Sequence, residues 1–164
     1  SKQFFNRTIQ KEYKAIVWGK VENSGIIERA IDRNPKNRKT FHTVSSGGKN
    51  AYTSYEVINY YPPFSLISLY PKTGRTHQIR VHLKSINHPI ICDSIYGGGI
   101  KKLKAFHVSY KEISIIALNT ISRLALHSSK IKFCHPETLK IVEYKAPLPA
   151  DFIHLINVLK NAKK

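Results

Sequence analysis

The run Tyr13-Lys14-Ala15-Ile16-Val17-Trp18-Gly19 constrains the fold more than any other stretch of this 164-residue chain. It is short, β-rich and closed by glycine, and its apolar residues stand at successive rather than alternate positions. A strand apolar on both faces belongs in the middle of a sheet. Residues 26–31, 41–44, 51–61 and 64–70 are further strand candidates, followed late in the chain by 130–133 and 139–144. Asn34-Pro35-Lys36-Asn37 makes a turn and Pro62-Pro63 breaks the chain. The loop Ser46-Gly47-Gly48-Lys49-Asn50 is expected to close a hairpin between 41–44 and 51–61.

Helical spacing is clear in two places. Thr73 or Gly74 can cap a helix whose Ile79, Leu83 and Ile86 make an apolar stripe, with His77, Arg80 and Lys84 as a basic stripe beside it and His88-Pro89 as its end. Pro149-Ala150-Asp151 starts a final helix that turns Phe152, Leu155, Ile156 and Leu159 inward. Residues 124–128 read as a short helix, Gly97-Gly98-Gly99 as a flexible turn, and 105–121 carries mixed strand signals. Composition does not shift along the chain and nothing repeats. The expectation is one domain over residues 1–164 of the α+β class, a mixed, mostly antiparallel sheet with flanking helices.

Charge narrows the function. Twenty-seven Lys and Arg face ten Asp and Glu, a formal net charge of +17. A domain this basic repels itself, and the usual reason to tolerate that is a polyanionic partner. Nucleic acid is favoured, because Tyr, Phe and His that could stack on bases are scattered among the cations. A membrane surface is the weaker alternative, resting on Lys160, Lys163 and Lys164 at the end of the last helix. The third reading is that the excess lysine serves solubility alone. No apolar run reaches the roughly 18 residues that span a bilayer, and two cysteines, Cys92 and Cys134, suit a reduced cytoplasmic protein. The eight histidines lack the i, i+4 spacing of a helical zinc pair, so no metal site is expected.

The densest chemistry lies in residues 72–83, Lys-Thr-Gly-Arg-Thr-His-Gln-Ile-Arg-Val-His-Leu. A helix N-terminus with free N–H groups beside Gly74 and Arg75 can hold a phosphate. Arg80, next to the apolar stripe, is expected to be partly buried, where a guanidinium needs a carboxylate. None stands near it in sequence. A solvated basic helix face is the plainer alternative.

The stretch Thr73-Gly74-Arg75-Thr76-His77-Gln78-Ile79-Arg80-Val81-His82-Leu83 resembles the signature of the RluA-type pseudouridine synthases, which isomerise uridine in ribosomal or transfer RNA. Lys11 to Gly19 is similar to that family's Lys-x-Tyr-x-Ala-x-Val-x-Gly strand. His88-Pro89-Ile90-Ile91-Cys92-Asp93 with Tyr96-Gly97 is similar to its His-Pro-Ile-x-Gly-Asp-x-x-Tyr-Gly, with Cys92 in place of glycine. Leu126-His127, Phe133 to Pro136 and Ala146 to Phe152 resemble its closing segments in order.

The resemblance implies a pseudouridine synthase-like catalytic fold and a cofactor-free reaction on a flipped-out uridine, with RNA as partner. An Asp attacks, the C–N glycosidic bond breaks, and the base turns and rejoins through carbon. It implies that Tyr13 stacks on the base and that Arg80 pairs with the nucleophilic Asp, while Arg75, Thr76, His77 and Gln78 contact RNA. The family's nucleophile stands in an Arg-Leu-Asp segment ahead of the Tyr strand. Asp32, Asp93 and Asp151 are the chain's three aspartates, and none has that context. Ser1-Lys2-Gln3-Phe4-Phe5 resembles a point after that segment, and the chain holds no methionine. The expectation is therefore the C-terminal portion of a catalytic domain, inactive in isolation, whose nucleophile comes from a missing N-terminal part or a separate partner. The alternative is a non-catalytic RNA-binding remnant of the same family. Without the family's Asp, Arg80 is expected to be solvated by a widened cleft or held by another acceptor such as a backbone carbonyl, so that Arg80→Leu would leave this chain's stability nearly unchanged or slightly raised.

Overall fold

The computed structural model describes residue 3 and residues 8–162. In chain order the first elements are β1 (Gln10–Trp18), β2 (Ser24–Glu28), β3 (Ala30–Arg33), β4 (Phe41–Val44), β5 (Tyr52–Tyr61), β6 (Phe64–Pro71) and α1 (Gln78–Ser85). Short 3₁₀ turns at Ile100–Ala105 and Val108–Tyr110 lead into α2 (Lys111–Thr120), then β7 (Leu126–Cys134), β8 (Ile141–Lys145) and α3 (Ala150–Asn161). Six strands make one sheet in the order β2-β5-β6-β1-β7-β8, with every neighbouring pair antiparallel. β3 and β4 form a separate two-stranded ribbon. The expected α+β class holds. Ser1, Lys2, Phe4 and Phe5 of the opening segment, and Lys163 and Lys164 of the last helix, lie outside the described residues.

β1 is the central strand its sequence demands. It pairs with β6 on one side and β7 on the other, and Ala15, Ile16, Val17 and Trp18 are all fully buried. Trp18 packs against Phe64 at 4.7 Å between ring centroids and against Phe106 at 5.1 Å. Its indole N–H donates to the Gly98 carbonyl at 2.8 Å, so the polar end of the largest core side chain is satisfied. Phe152, Leu155, Ile156 and Leu159 of α3 join the same core, as their helical spacing implies.

Four local readings are corrected. The glycine-rich loop does not close a hairpin between 41–44 and 51–61. β5 is already paired on both edges, with β2 and β6, so β4 has no edge to join and pairs with β3 instead. For the same reason the run 26–31 divides at Arg29 into β2 and β3. Residues 126–128 are strand rather than helix, because the free edge of β1 captures them: Leu126 faces Ala15 and Ser128 faces Tyr13. Residues 111–120, within the stretch of mixed strand signals, are α2, whose Ala117 enters the core.

Gly97-Gly98-Gly99 is also no loose spacer. Gly98 is buried, accepts from Trp18 and Cys92 through its carbonyl, and lies where a Cβ would overlap the Ile90 carbonyl. Gly98→Ala must push two backbone segments apart. Such overpacking costs about 2–3 kcal/mol, which in a domain of this size lowers Tm by about 5–10 °C, read by calorimetry.

Candidate active site

Lys11 and Tyr13 stand two residues apart on β1 and so project from the same face of the sheet. With Pro71, Leu126, Thr73 to Arg75 and His77 to Arg80 they line a pocket of about 190 Å³. That is room for a single planar base rather than for a drug-sized ligand, whose pockets run to about 300–1,000 Å³. The register between β1 and β7 slips beside Tyr13: Glu12 faces Lys130 and Tyr13 faces Ser128, leaving Ser129 as the extra residue of a bulge. Bulges re-aim neighbouring side chains, and this one sits at the pocket floor. Lys11, Arg75 and Arg80 supply cations to the lining, which contains no carboxylate. Burial lowers the Lys11 ammonium pKa below its ordinary value.

Arg80 has found the carboxylate that its neighbours in sequence lack. Its Nε donates to Asp93 Oδ2 and its Nη2 to Asp93 Oδ1, both at 2.8 Å, a bidentate pair with the Asp93 side chain wholly buried. Arg80 is thus held by another acceptor, as expected without the family's Asp, but that acceptor is a buried carboxylate rather than solvent or a carbonyl, which corrects the expectation that Arg80→Leu costs little. Thirteen residues of chain separate the pair, and the turn after Pro89 brings them together. The contact with Asp93 raises the Arg80 pKa further above its ordinary value. Arg80 Nη1 has no acceptor among the described residues, and Arg80 lines the pocket.

Tyr96 ties this pair to the rest of the site. Its ring lies under the Arg80 guanidinium, 4.7 Å from centroid to Cζ, and its backbone N–H donates to Asp93 Oδ1. Its hydroxyl accepts from the Phe41 backbone N–H at 3.1 Å and stands 2.8 Å from His77 Nδ1. Burial, reinforced by the Arg80 charge, lowers the His77 pKa and favours the neutral ring. His77 occupies the N-cap of α1 in the left-handed region (φ 55°), so the helix starts at Gln78 rather than at Thr73 or Gly74.

Behind the pocket runs a chain of buried hydrogen bonds with one consistent polarity. Gln78 Oε1 accepts from the Thr73 hydroxyl and the Arg75 N–H, while its Nε2 donates to the Tyr52 carbonyl and to Thr53 Oγ1. The Thr53 hydroxyl in turn donates to His82 Nδ1, and His82 Nε2 donates to the Arg29 carbonyl. His82 is fully buried, and burial holds its pKa below the ordinary histidine value.

Of the residues singled out from sequence, the fold brings Tyr13, Arg75, His77, Gln78 and Arg80 to one pocket. Thr76 is exposed and outside the lining. Gln78 has its amide fully occupied within the protein, so it shapes the loop that carries Arg75. Sequence reasoning assigned no role to Lys11, Thr53, Asp93 or Tyr96. The spacing of Asp93 and Tyr96 was visible, but only folding shows that both close on Arg80.

Comparison with known proteins agrees with the fold. The profile of the RNA pseudouridylate synthase family matches residues 1–85, and the chain belongs to that family. Over 159 residues it is 37% identical to the ribosomal large subunit pseudouridine synthase D of Neisseria meningitidis serogroup B, covering 97% of this chain and 41% of that protein. An uncharacterized RNA pseudouridine synthase of Chlorobaculum parvum is 42% identical over 156 residues, covering 92% and 47%. The chain thus spans less than half the length of these relatives. Among solved structures, human RNA pseudouridylate synthase domain containing 1 superposes with a TM-score of 0.68 at 28% identity, covering 97% of this chain and 69% of that one.

Two outcomes follow from the buried polar groups. Arg80→Leu strands the Asp93 carboxylate without its partner and is expected to destabilise the chain by about 3 kcal/mol, measured by urea unfolding. His82 is held neutral, with its folded pKa below the unfolded value of about 6.5, so the unfolded chain binds the extra proton first. Its contribution is present above about pH 6.5 and is lost as pH falls through the folded pKa. His82→Asn starts less stable at pH 7 by about 1–3 kcal/mol and loses less Tm than wild type between about pH 7 and 5.

Proposed function

We propose that this chain is the C-terminal portion of the catalytic domain of an RNA pseudouridine synthase, isomerising uridine to pseudouridine in ribosomal or transfer RNA. The observation that carries the reading is a base-sized pocket in which Tyr13, Arg75, His77 and Arg80 meet. Tyr13 is the stacking partner that replaces the neighbours a flipped uridine leaves behind. The unfilled Nη1 edge of Arg80 is a place for the nucleophilic carboxylate, kept ionised there by the guanidinium. Asp93 holds the other edge. Because it is buried and engaged by Arg80 and the Tyr96 N–H, its role is to orient Arg80 rather than to attack.

Among the described residues Arg75 has only its Nε engaged, to the Asn50 carbonyl; it is the principal phosphate ligand, and exposed Thr76 and His77 complete the RNA contacts. The identity of the Neisseria relative as a ribosomal large subunit pseudouridine synthase favours large-subunit ribosomal RNA over transfer RNA as the substrate. The nucleophile comes from an upstream stretch of the same protein, in keeping with the share of the relatives that this chain spans. A non-catalytic RNA-binding role is the second reading, and the pocket without a carboxylate is what favours it.

Single-turnover assays with excess protein on ribosomal RNA transcripts decide between them. Residues 1–164 alone are expected to form no pseudouridine, and the longer protein carrying the upstream Asp to form it stoichiometrically. In that longer protein Tyr13→Leu lowers turnover by at least about 100-fold while RNA affinity changes only a few-fold. A longer protein that binds RNA but never forms product supports the remnant instead. Product from residues 1–164 alone would refute the missing-nucleophile reading.

A further inference from the structure

Lys11 is a half-buried cation of the pocket with little to hold it. Its ammonium makes a single long hydrogen bond, donating to the Thr73 carbonyl at 3.4 Å. Among the described residues it forms no ion pair. An ammonium has three N–H donors and cannot accept, so two donors stay open. Nζ lies over the loop that leads to α1, 3.6 Å from where a Cβ on Gly74 would stand. A partly desolvated ammonium short of partners is costly, and burial already makes it easier to deprotonate. Negative charge delivered beside it removes both costs.

Other polar side chains of the lining are committed. Thr73 and Gln78 bond to each other, Arg80 is fixed on Asp93, and Arg75 reaches the Asn50 carbonyl. His77 rests against the Tyr96 hydroxyl. Tyr13 offers a base the face of its ring, so a donor for the edge of that base has to come from elsewhere. Lys11 stands on the same face of β1, two residues or about 7 Å along the strand. A ring stacked on Tyr13 brings its edge toward the Lys11 ammonium.

We infer that Lys11 is a catalytic residue: its ammonium donates to a carbonyl oxygen of the flipped uracil and takes up the charge that the ring acquires on leaving the ribose. The inference rests on the RNA-enzyme reading above and assigns a group to the departing base, as Arg80 is assigned to the nucleophile. The C1′–N1 bond breaks with its electron pair on N1, while an oxygen of the nucleophilic Asp bonds to C1′. Resonance spreads the negative charge from N1 onto O2 and O4. The ring turns, and C5 bonds to C1′ as the Asp oxygen leaves with its electron pair. C5 gives up its proton and N1 takes one up, so the product is an isomer of the substrate. Lys11 stays an ammonium throughout. A fixed donor aimed at charge that develops during the reaction favours the transition state over the bound substrate.

The test is single-turnover conversion by the longer protein carrying the upstream Asp, on ribosomal RNA transcripts made with uridine or with 5-fluorouridine. Wild type, Lys11→Met and Lys11→Gln are compared, with Tm and RNA affinity measured beside the rates. Removing an unpaired, half-buried charge is expected to leave Tm unchanged or raised. Lys11→Met slows loss of the uridine N-glycosidic bond by at least about 100-fold, as for a lost oxyanion donor, while affinity falls only a few-fold. Lys11→Gln, a donor without the charge, falls between the two. Fluorine at C5 draws charge out of the departing ring, so the rate lost with 5-fluorouridine is smaller by at least about tenfold. A purely structural Lys11 slows both substrates alike, which overturns the inference. A Lys11 that grips phosphate leaves the rate at saturating protein intact and flattens the salt dependence of binding by about 0.7–0.9, which overturns it too. If wild type forms pseudouridine and both variants keep its rate, the Lys11 inference alone fails. If the longer wild-type protein forms none, the RNA-enzyme reading fails with it.

Discussion

The guanidinium of Arg80, held between the buried carboxylate of Asp93 and the face of Tyr96, is the contact on which the site depends. Two parallel hydrogen bonds at 2.8 Å fix its plane, and the aromatic ring beneath leaves it little freedom to tilt. A lone carboxylate at the position of Asp93 would be prohibitively costly to desolvate. The pair therefore locks α1 to the turn that follows it, and with it the side of the pocket opposite Tyr13. Tyr96 extends the lock outward, since its hydroxyl joins the ribbon backbone at Phe41 to the ring of His77.

A second constraint holds the loop before α1. Gln78 satisfies its whole amide on Tyr52, Thr53, Thr73 and Arg75, which ties the loop before α1 to the ends of β5 and β6. Buried polar networks are stabilising only when every member is satisfied, and here each donor meets an acceptor from Thr73 through to the Arg29 carbonyl. The loop bearing Arg75 is consequently positioned by the sheet rather than by whatever binds in the pocket. Preorganisation of this kind lowers the ordering cost of binding a flexible polyanion.

The charge excess is distributed to the same end. Among the described residues, Glu12, Asp93, Glu143 and Asp151 are engaged in ion pairs within the chain. Most cations are left facing solvent, among them those of the ribbon and of the 3₁₀ turn at Ile100–Ala105. Their mutual repulsion is tolerable in a protein whose family acts on RNA.

Much of this was legible before folding. Successive apolar residues at 15–18 require a strand covered on both faces, and β1 is central. The 3.6-residue spacing of Phe152, Leu155 and Leu159 requires a buried helix face, and α3 provides it. The run from Thr73 to Leu83 concentrates the pocket residues because a turn and one helical turn hold them within a few ångströms. What the sequence could not determine were events at a distance. Residues 126–128 have no strong preference of their own and became strand because β1 offered an open edge; β4 left β5 because both edges of β5 were taken. Local periodicity, then, settled which faces are apolar and where the charge-bearing loop lies. The partner of Arg80, the contact of His77 with Tyr96 and the joining of ribbon to pocket were decided only by tertiary structure, because each depends on groups that packing alone brings into contact.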